Sequence, residues 1–220
     1  TDDIEILSNT ITFAGEDGID MRGSSFATID DNTVIFSDAN GIRVEGGLSN
    51  TVSNNTVIFS GDDGFDFQWI SGLEVYGNTA IFPGDDGFDI ENSIFANLYD
   101  NRVIFAFDDG FSMNNLSFST VADNDVTFAG GHGYKLTDSG FVGIVGNTAL
   151  FTDGAGIFVD PSSFIFVEGN TLDNNEFGVQ FLDVTDSTIQ GNTITNSRDT
   201  GIQLENVEDI LVLNNDITDS

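Results

Sequence analysis

Apolar residues in this chain recur in columns rather than in runs. Three residues before each of ten regularly spaced asparagines stand Ile6, Ile29, Val52, Val75, Leu98, Val121, Ile144, Val167, Ile189 and Val212, and two residues after them stand Ile11, Val34, Val57, Ala80, Val103, Val126, Ala149, Leu172, Ile194 and Ile217. The asparagines are Asn9, Asn32, Asn55, Asn78, Asn101, Asn124, Asn147, Asn170, Asn192 and Asn215, 23 residues apart with one step of 22. A glycine column keeps the same beat at Gly18, Gly41, Gly64, Gly87, Gly110, Gly133, Gly156, Gly178 and Gly201. Its first and third followers are apolar (Phe65 and Phe67, Phe88 and Ile90, Ile157 and Val159), and the residue between them is mostly polar. Apolar residues two apart are the signature of a strand, so each repeat predicts three short strands. A unit this short buries no face alone and must stack on its neighbours. The whole chain, 1–220, is therefore predicted to be one all-β domain, a parallel β-solenoid of nine to ten coils, and a segment of a longer or polymerising protein.

The same alternation assigns the remaining apolar columns. Phe13, Phe36, Phe59, Phe82, Phe105, Phe128 and Phe151, four past each asparagine, are predicted to point inward. Ile35, Ile58, Ile81 and Ile104, one position earlier, are predicted to face outward, and an exposed aliphatic stripe of this kind marks a lateral interface. The terminal coils hold Ile4, Ile6, Val212 and Ile217 without an amphipathic cap, so head-to-tail neighbours or flanking domains are expected to cover them.

Asparagines in register have a stacking explanation: each amide can bond the amides above and below, satisfying groups that the bend would otherwise bury unpaired. At about 4.8 Å per coil the stack spans roughly 45 Å. The asparagine ladder, the glycine turn and strand starts such as Asn192-Thr193-Ile194 resemble the right-handed parallel β-helix repeats of the pectate-lyase-like superfamily along the whole chain. That architecture carries lyases, hydrolases, epimerases, adhesins and passive scaffolds, so the resemblance implies a fold before a function.

Charge narrows the partners. With 37 Asp and Glu against five Lys and Arg the formal charge is −32, which excludes the basic footprint that nucleic acid or an anionic membrane requires and points to cations. Nothing resembles a membrane span. The chain has no cysteine, which suits a prokaryotic extracellular or cell-surface setting.

The acidic residues gather at the glycine turns. Asp62-Asp63-Gly64-Phe65-Asp66, Asp85-Asp86-Gly87-Phe88-Asp89 and Asp108-Asp109-Gly110 follow one another on adjacent coils. Two unit charges one coil apart repel by about 0.9 kcal/mol in bulk water and about 3 to 4 kcal/mol at an effective dielectric near 20. A hard divalent cation, above all Ca²⁺, takes six to eight oxygens of the kind such turns supply. Asp62, Asp63, Asp66, Asp85, Asp86, Asp89, Asp108 and Asp109 are the candidate ligands, against the alternative of a solvated acidic edge. The reading is a structural or adhesive surface segment with divalent cations along its turns.

A second reading comes from resemblance. In polygalacturonase-type glycoside hydrolases successive coils carry Asn-Thr-Asp-Gly-Phe-Asp, then Asp-Asp, then Gly-His-Gly, then Arg-x-Lys. This chain has Asp85-Asp86-Gly87-Phe88-Asp89, then Asp108-Asp109, then Gly131-His132-Gly133, in the same order. The resemblance implies that Asp108 protonates the glycosidic oxygen, Asp86 and Asp109 activate water, and His132 tunes the acid. Such an inverting enzyme acts on an acidic glycan across carboxylates roughly 6.5 to 9.5 Å apart. At the Arg-x-Lys coil the chain reads Gly156-Ile157-Phe158-Val159, and Lys135, three residues past His132, is a poor substitute. Tyr76, Tyr99 and Trp69 are further candidates for stacking on sugar rings.

Overall fold

The structure, a computed structural model describing residues 3–220, is all-β, and every strand pairing in it is parallel. Ten strands, one per coil, form a continuous sheet from Thr10–Ala14 through Thr79–Ile81 to Asp216–Thr218. A 17-stranded sheet holds the other two segments of each coil. Early coils keep them apart, as in Phe65–Gln68 and Glu74–Tyr76, whereas later ones fuse them into single strands, Tyr134–Val145 and Ile157–Glu168. Residues pair with those 23 positions on, Val52 with Val75 and Val57 with Ala80, so that columns of the sequence become columns of the core. The column from Ile29 to Ile189 lies fully inside.

The asparagines form the expected ladder. Asn55 Nδ2 donates to Asn78 Oδ1 at 3.0 Å and to the Ile29 carbonyl at 2.8 Å, while Asn78 Oδ1 also accepts the Asn55 backbone N–H at 2.9 Å. The pattern repeats to Asn215, so the buried amides are satisfied at every bend. The glycine column answers to close approach rather than to backbone angle. A Cβ at Gly87 would lie 2.5 Å from both the Gly110 carbonyl oxygen and Val103 Cγ2.

The inward assignment of the asparagine-plus-four phenylalanines is corrected. Phe36 to Phe151 are 41–43% exposed and Phe13 is 77% exposed. Each sits in the left-handed backbone region, with φ between 55° and 63°, which ends the strand alternation and turns the ring outward. The next residue, Ser37, Ser60, Ala106, Ala129 or Thr152, goes inside instead. The seven rings stack on one another with centroids 4.7–5.2 Å apart, hiding their faces and showing their edges. Phenylalanines after the glycine column do point inward: Phe65, Phe88, Phe111 and then Tyr134 form a buried stack. Ile35, Ile58, Ile81 and Ile104 line up in register on the ten-stranded sheet and are half-buried, beside the more exposed phenylalanine ladder.

Candidate functional site: an acidic turn ladder

The residue before each column glycine builds a second polar ladder. Its side chain accepts the backbone N–H of the same position one coil on. Asp63 N–H donates to Asn40 Oδ1 at 3.0 Å, Asp86 N–H to Asp63 Oδ1 at 3.0 Å, Asp109 N–H to Asp86 Oδ1 at 2.7 Å and His132 N–H to Asp109 Oδ1 at 2.6 Å. Ala155 N–H ends the series on His132 Nδ1 at 2.9 Å. One oxygen of each aspartate thus has a structural duty, and the other stays available for charge chemistry.

What meets that other oxygen is set by a diagonal. The residue two past the glycine reaches the ladder residue 26 positions earlier. Lys135 Nζ lies 2.9 Å from Asp109 Oδ2, and Asn40 Nδ2 donates to Asp66 Oδ2 at 3.3 Å. Arg43 Nε also stands 3.2 Å from Asp66 Oδ2. That contact is an ion pair without hydrogen-bond alignment, because Arg43 Nε and Asp66 Oδ1 are both buried and unpartnered. On the same diagonal Asp63 faces Asp89, whose charge disfavours the ionised form of Asp63.

The charges respond accordingly. Burial, then the charge of Asp89, pushes Asp63 up to about 8. Burial, then Asp109, pushes Asp86 up to about 8, and burial with Asp86 and Glu91 takes Asp89 to about 7. Asp66 is raised by burial against the opposing pull of Arg43, and Asp108 by burial and the nearby Asp109. For Lys135 burial works against the ammonium, yet the hydrogen bond and charge of Asp109 outweigh it and raise its pKa. Burial lowers His132 although Asp109 opposes it. Its ring lies flat on Phe158, centroids 4.4 Å apart.

Of the eight candidate metal ligands the structure brings Asp85, Asp86 and Asp108 together, with one oxygen from each within 4.8 Å of the others. Asp85 and Asp108 are exposed, and Asp86 is buried at the floor. Asp63 and Asp89 adjoin this group through Asp86, Asp66 is held by Arg43, Asp62 is exposed one coil away, and Asp109 is occupied by Lys135. The same packing places Asp86, Asp108, Asp109 and His132 on three successive coils, with Asp86 and Asp108 oxygens closer than the gap an inverting displacement uses. Lys135, set aside in the sequence, belongs to the site, and so do Arg43 and Asn40. The 26-residue diagonal that reveals Lys135 and Asn40 is visible in the sequence only once the coil is built, whereas Arg43 stands one 23-residue period before Asp66, in the same column.

The chain belongs to the family described as the right handed beta helix region, whose model matches residues 1–149, and to that described as the periplasmic copper-binding protein NosD, matched over residues 95–220. No curated protein matches the chain. Among solved structures it is similar to the A-module of mannuronan C-5 epimerase AlgE6 of Azotobacter vinelandii, with TM-score 0.74 and 17% identity over 92% of this chain and 61% of that one. It is also similar to a hyperthermoactive exopolygalacturonase of Thermotoga maritima (TM-score 0.72, 14% identity, 87% of this chain and 53% of that one). The surface adhesin PfbA of Streptococcus pneumoniae is matched with TM-score 0.72 and 13% identity over 100% of this chain and 69% of that one. The chain thus spans 61% and 53% of the two enzymes' lengths. At these identities the likenesses establish a fold shared by polysaccharide-acting enzymes and an adhesin.

Proposed function

We propose that this β-helix is a structural or adhesive segment of the bacterial periplasm or cell surface that binds a hard divalent cation, Ca²⁺ first, at Asp85, Asp86 and Asp108. One observation carries the reading: among the described residues, the cations paired with this ladder stand at its two ends. Arg43 meets Asp66 and Lys135 meets Asp109, and among the described residues Asp63, Asp85, Asp86, Asp89 and Asp108 form no ion pair, although the charge of Lys135 reaches Asp108. Two oxygens of this stretch are supplied by exposed side chains that solvent and ions reach freely. A divalent ion would offset the burial and the mutual repulsion that together make Asp63 and Asp86 hold protons near neutral pH.

Copper does not fit these donors. It prefers imidazole and sulfur, whereas the chain has one histidine, no cysteine and two methionines. His132 spends its Nδ1 on the Ala155 N–H, and Met21 and Met113 are buried. The location is read from the periplasmic family and the surface adhesin. Thermal unfolding in millimolar Ca²⁺ against EDTA tests the proposal, because a ligand that binds only the folded state raises the midpoint. A calcium-specific rise absent with matched NaCl supports it, and equal midpoints refute it.

The convergence of Asp86, Asp108 and Asp109 with Lys135 favours one other reading, a glycoside hydrolase with Asp108 as acid. Release of reducing ends from polyuronides, lost in Asp108→Asn, would replace the scaffold reading.

A further inference from the structure

Three residues beyond Asp66, the corner closing the strand Phe65–Gln68 holds Trp69. Its column reads Gly23, Gly46, Trp69, Asn92, Asn115, Asp138, then Asp183 and Asn206, all with φ between 51° and 73°. Glycine, asparagine and aspartate accept this left-handed backbone, while a bulky side chain there is strained. Trp69 is the bulky member, at φ 60°, and 62% of it is exposed. Neither strain nor exposure is offset within the molecule. Phenylalanines at other left-handed corners stack coil upon coil, as Phe118 on Phe141 and Phe141 on Phe164 at 4.9 and 4.6 Å. No such ring stacks on Trp69 among the described residues.

Beside the indole lies an open groove of about 400 Å³, with Leu48, Ile70 and Ile94 as apolar floor and Ser71 and Asn92 as polar lining. Asn92 Oδ1 accepts the Asn115 amide at 2.9 Å, and among the described residues its own NH₂ makes no hydrogen bond. An aromatic face, an apolar floor and a few free polar groups are what a pyranose ring needs: its C–H face lies on the indole and its hydroxyls meet amide and hydroxyl groups. Glu45 and Glu91 flank Gln68 on the adjoining strand ends, and the nearby Arg43 is already engaged with Asp66, so the charge favours a neutral glycan over a polyuronide. We propose that Trp69, with Ser71 and Asn92, forms a stacking subsite for a neutral polysaccharide. It lies about 10 Å along the strand from Asp66 and holds independently of cation binding at the turns.

Trp69 is the chain's single tryptophan, so its emission reports this groove alone. Titration with cello-, xylo- and manno-oligosaccharides in EDTA is expected to give a saturable emission change with at least one neutral series and none with oligogalacturonate. Calorimetry on Trp69→Asn is expected to show that binding lost, with a melting midpoint equal to or above wild type because asparagine suits the corner. A silent response to every neutral series, a stronger response to oligogalacturonate, unchanged binding by Trp69→Asn, or a lowered midpoint in that variant would each overturn the proposal.

Discussion

Lys135 Nζ lies 2.9 Å from Asp109 Oδ2, a residue 26 positions earlier on the neighbouring coil. Asp109 is buried, its side chain 1% exposed, while that of Lys135 is 35% exposed. Removing the lysine would strand a carboxylate in the wall of the helix. Lys135→Met is expected to lose about 3 kcal/mol at neutral pH, the low end for breaking a buried pair because the lysine is partly solvated. Urea unfolding of variant and wild type measures the loss, and a variant as stable as wild type would contradict the pairing.

The same diagonal sets Asp63 against Asp89, where among the described residues no ion pair forms. Asp89→Lys would copy the Asp109–Lys135 arrangement one turn pair away. In EDTA it is expected to gain about 1 kcal/mol or more, which for a domain of this size moves the midpoint up by about 2 to 4 °C, and its response to Ca²⁺ should shrink. A lowered midpoint in EDTA would show that the uncompensated carboxylates are not a source of strain.

Stability without metal should fall as pH rises. In the folded chain Asp63 and Asp86 keep their protons to about 8 and Asp89 to about 7, whereas unfolded aspartates release theirs near 3.9. Folded pKa values above unfolded ones give stability that is complete below about pH 4 and declines as pH rises towards 8. Ca²⁺ bound at the proposed site would hold Asp86 ionised and offset the charge of its neighbours, so its stabilising effect should grow over that window, with proton release on binding. Melting curves between pH 5 and 8, with Ca²⁺ and with EDTA, check both signs. Parallel curves would exclude the buried carboxylates as the linked groups.

The fold was legible because columns survive translation into coils: the asparagine, glycine and Ile29-to-Ile189 columns need only a fixed period to be placed. The phenylalanine ladder was not, because a period of two presumes an unbroken strand and Phe36 sits at φ 61°. The small residues after it, Ser37, Ser60 and Ala106, were the available signal for where the wall turns. The acidic turns were legible as a group. Arg43 stands one period before Asp66 and its pairing was readable from the repeat, whereas the pairing of Asp109 with Lys135 was not, because it runs across a diagonal that depends on coil pitch and side-chain reach.

The exposed ladder makes its own prediction. Phe82 loses ring stacking on Phe59 and Phe105 if replaced, a contribution of about 0.5 to 1.5 kcal/mol per pair, yet asparagine relieves a left-handed corner. Phe82→Asn is expected to change stability by no more than about 1.5 kcal/mol while reducing the binding of a hydrophobic dye. A loss above about 3 kcal/mol by urea unfolding would place the ring among the core residues after all.

The most direct test of cation binding is calorimetric titration of Ca²⁺ into the metal-free protein beside Asp85→Asn/Asp108→Asn. Both substituted side chains are exposed, so the coil should survive their change. Saturable binding by the wild type, released protons and loss of that binding in the double variant are the expected result. Binding that is absent from the wild type, or that persists undiminished in the double variant, would contradict the assignment of the site.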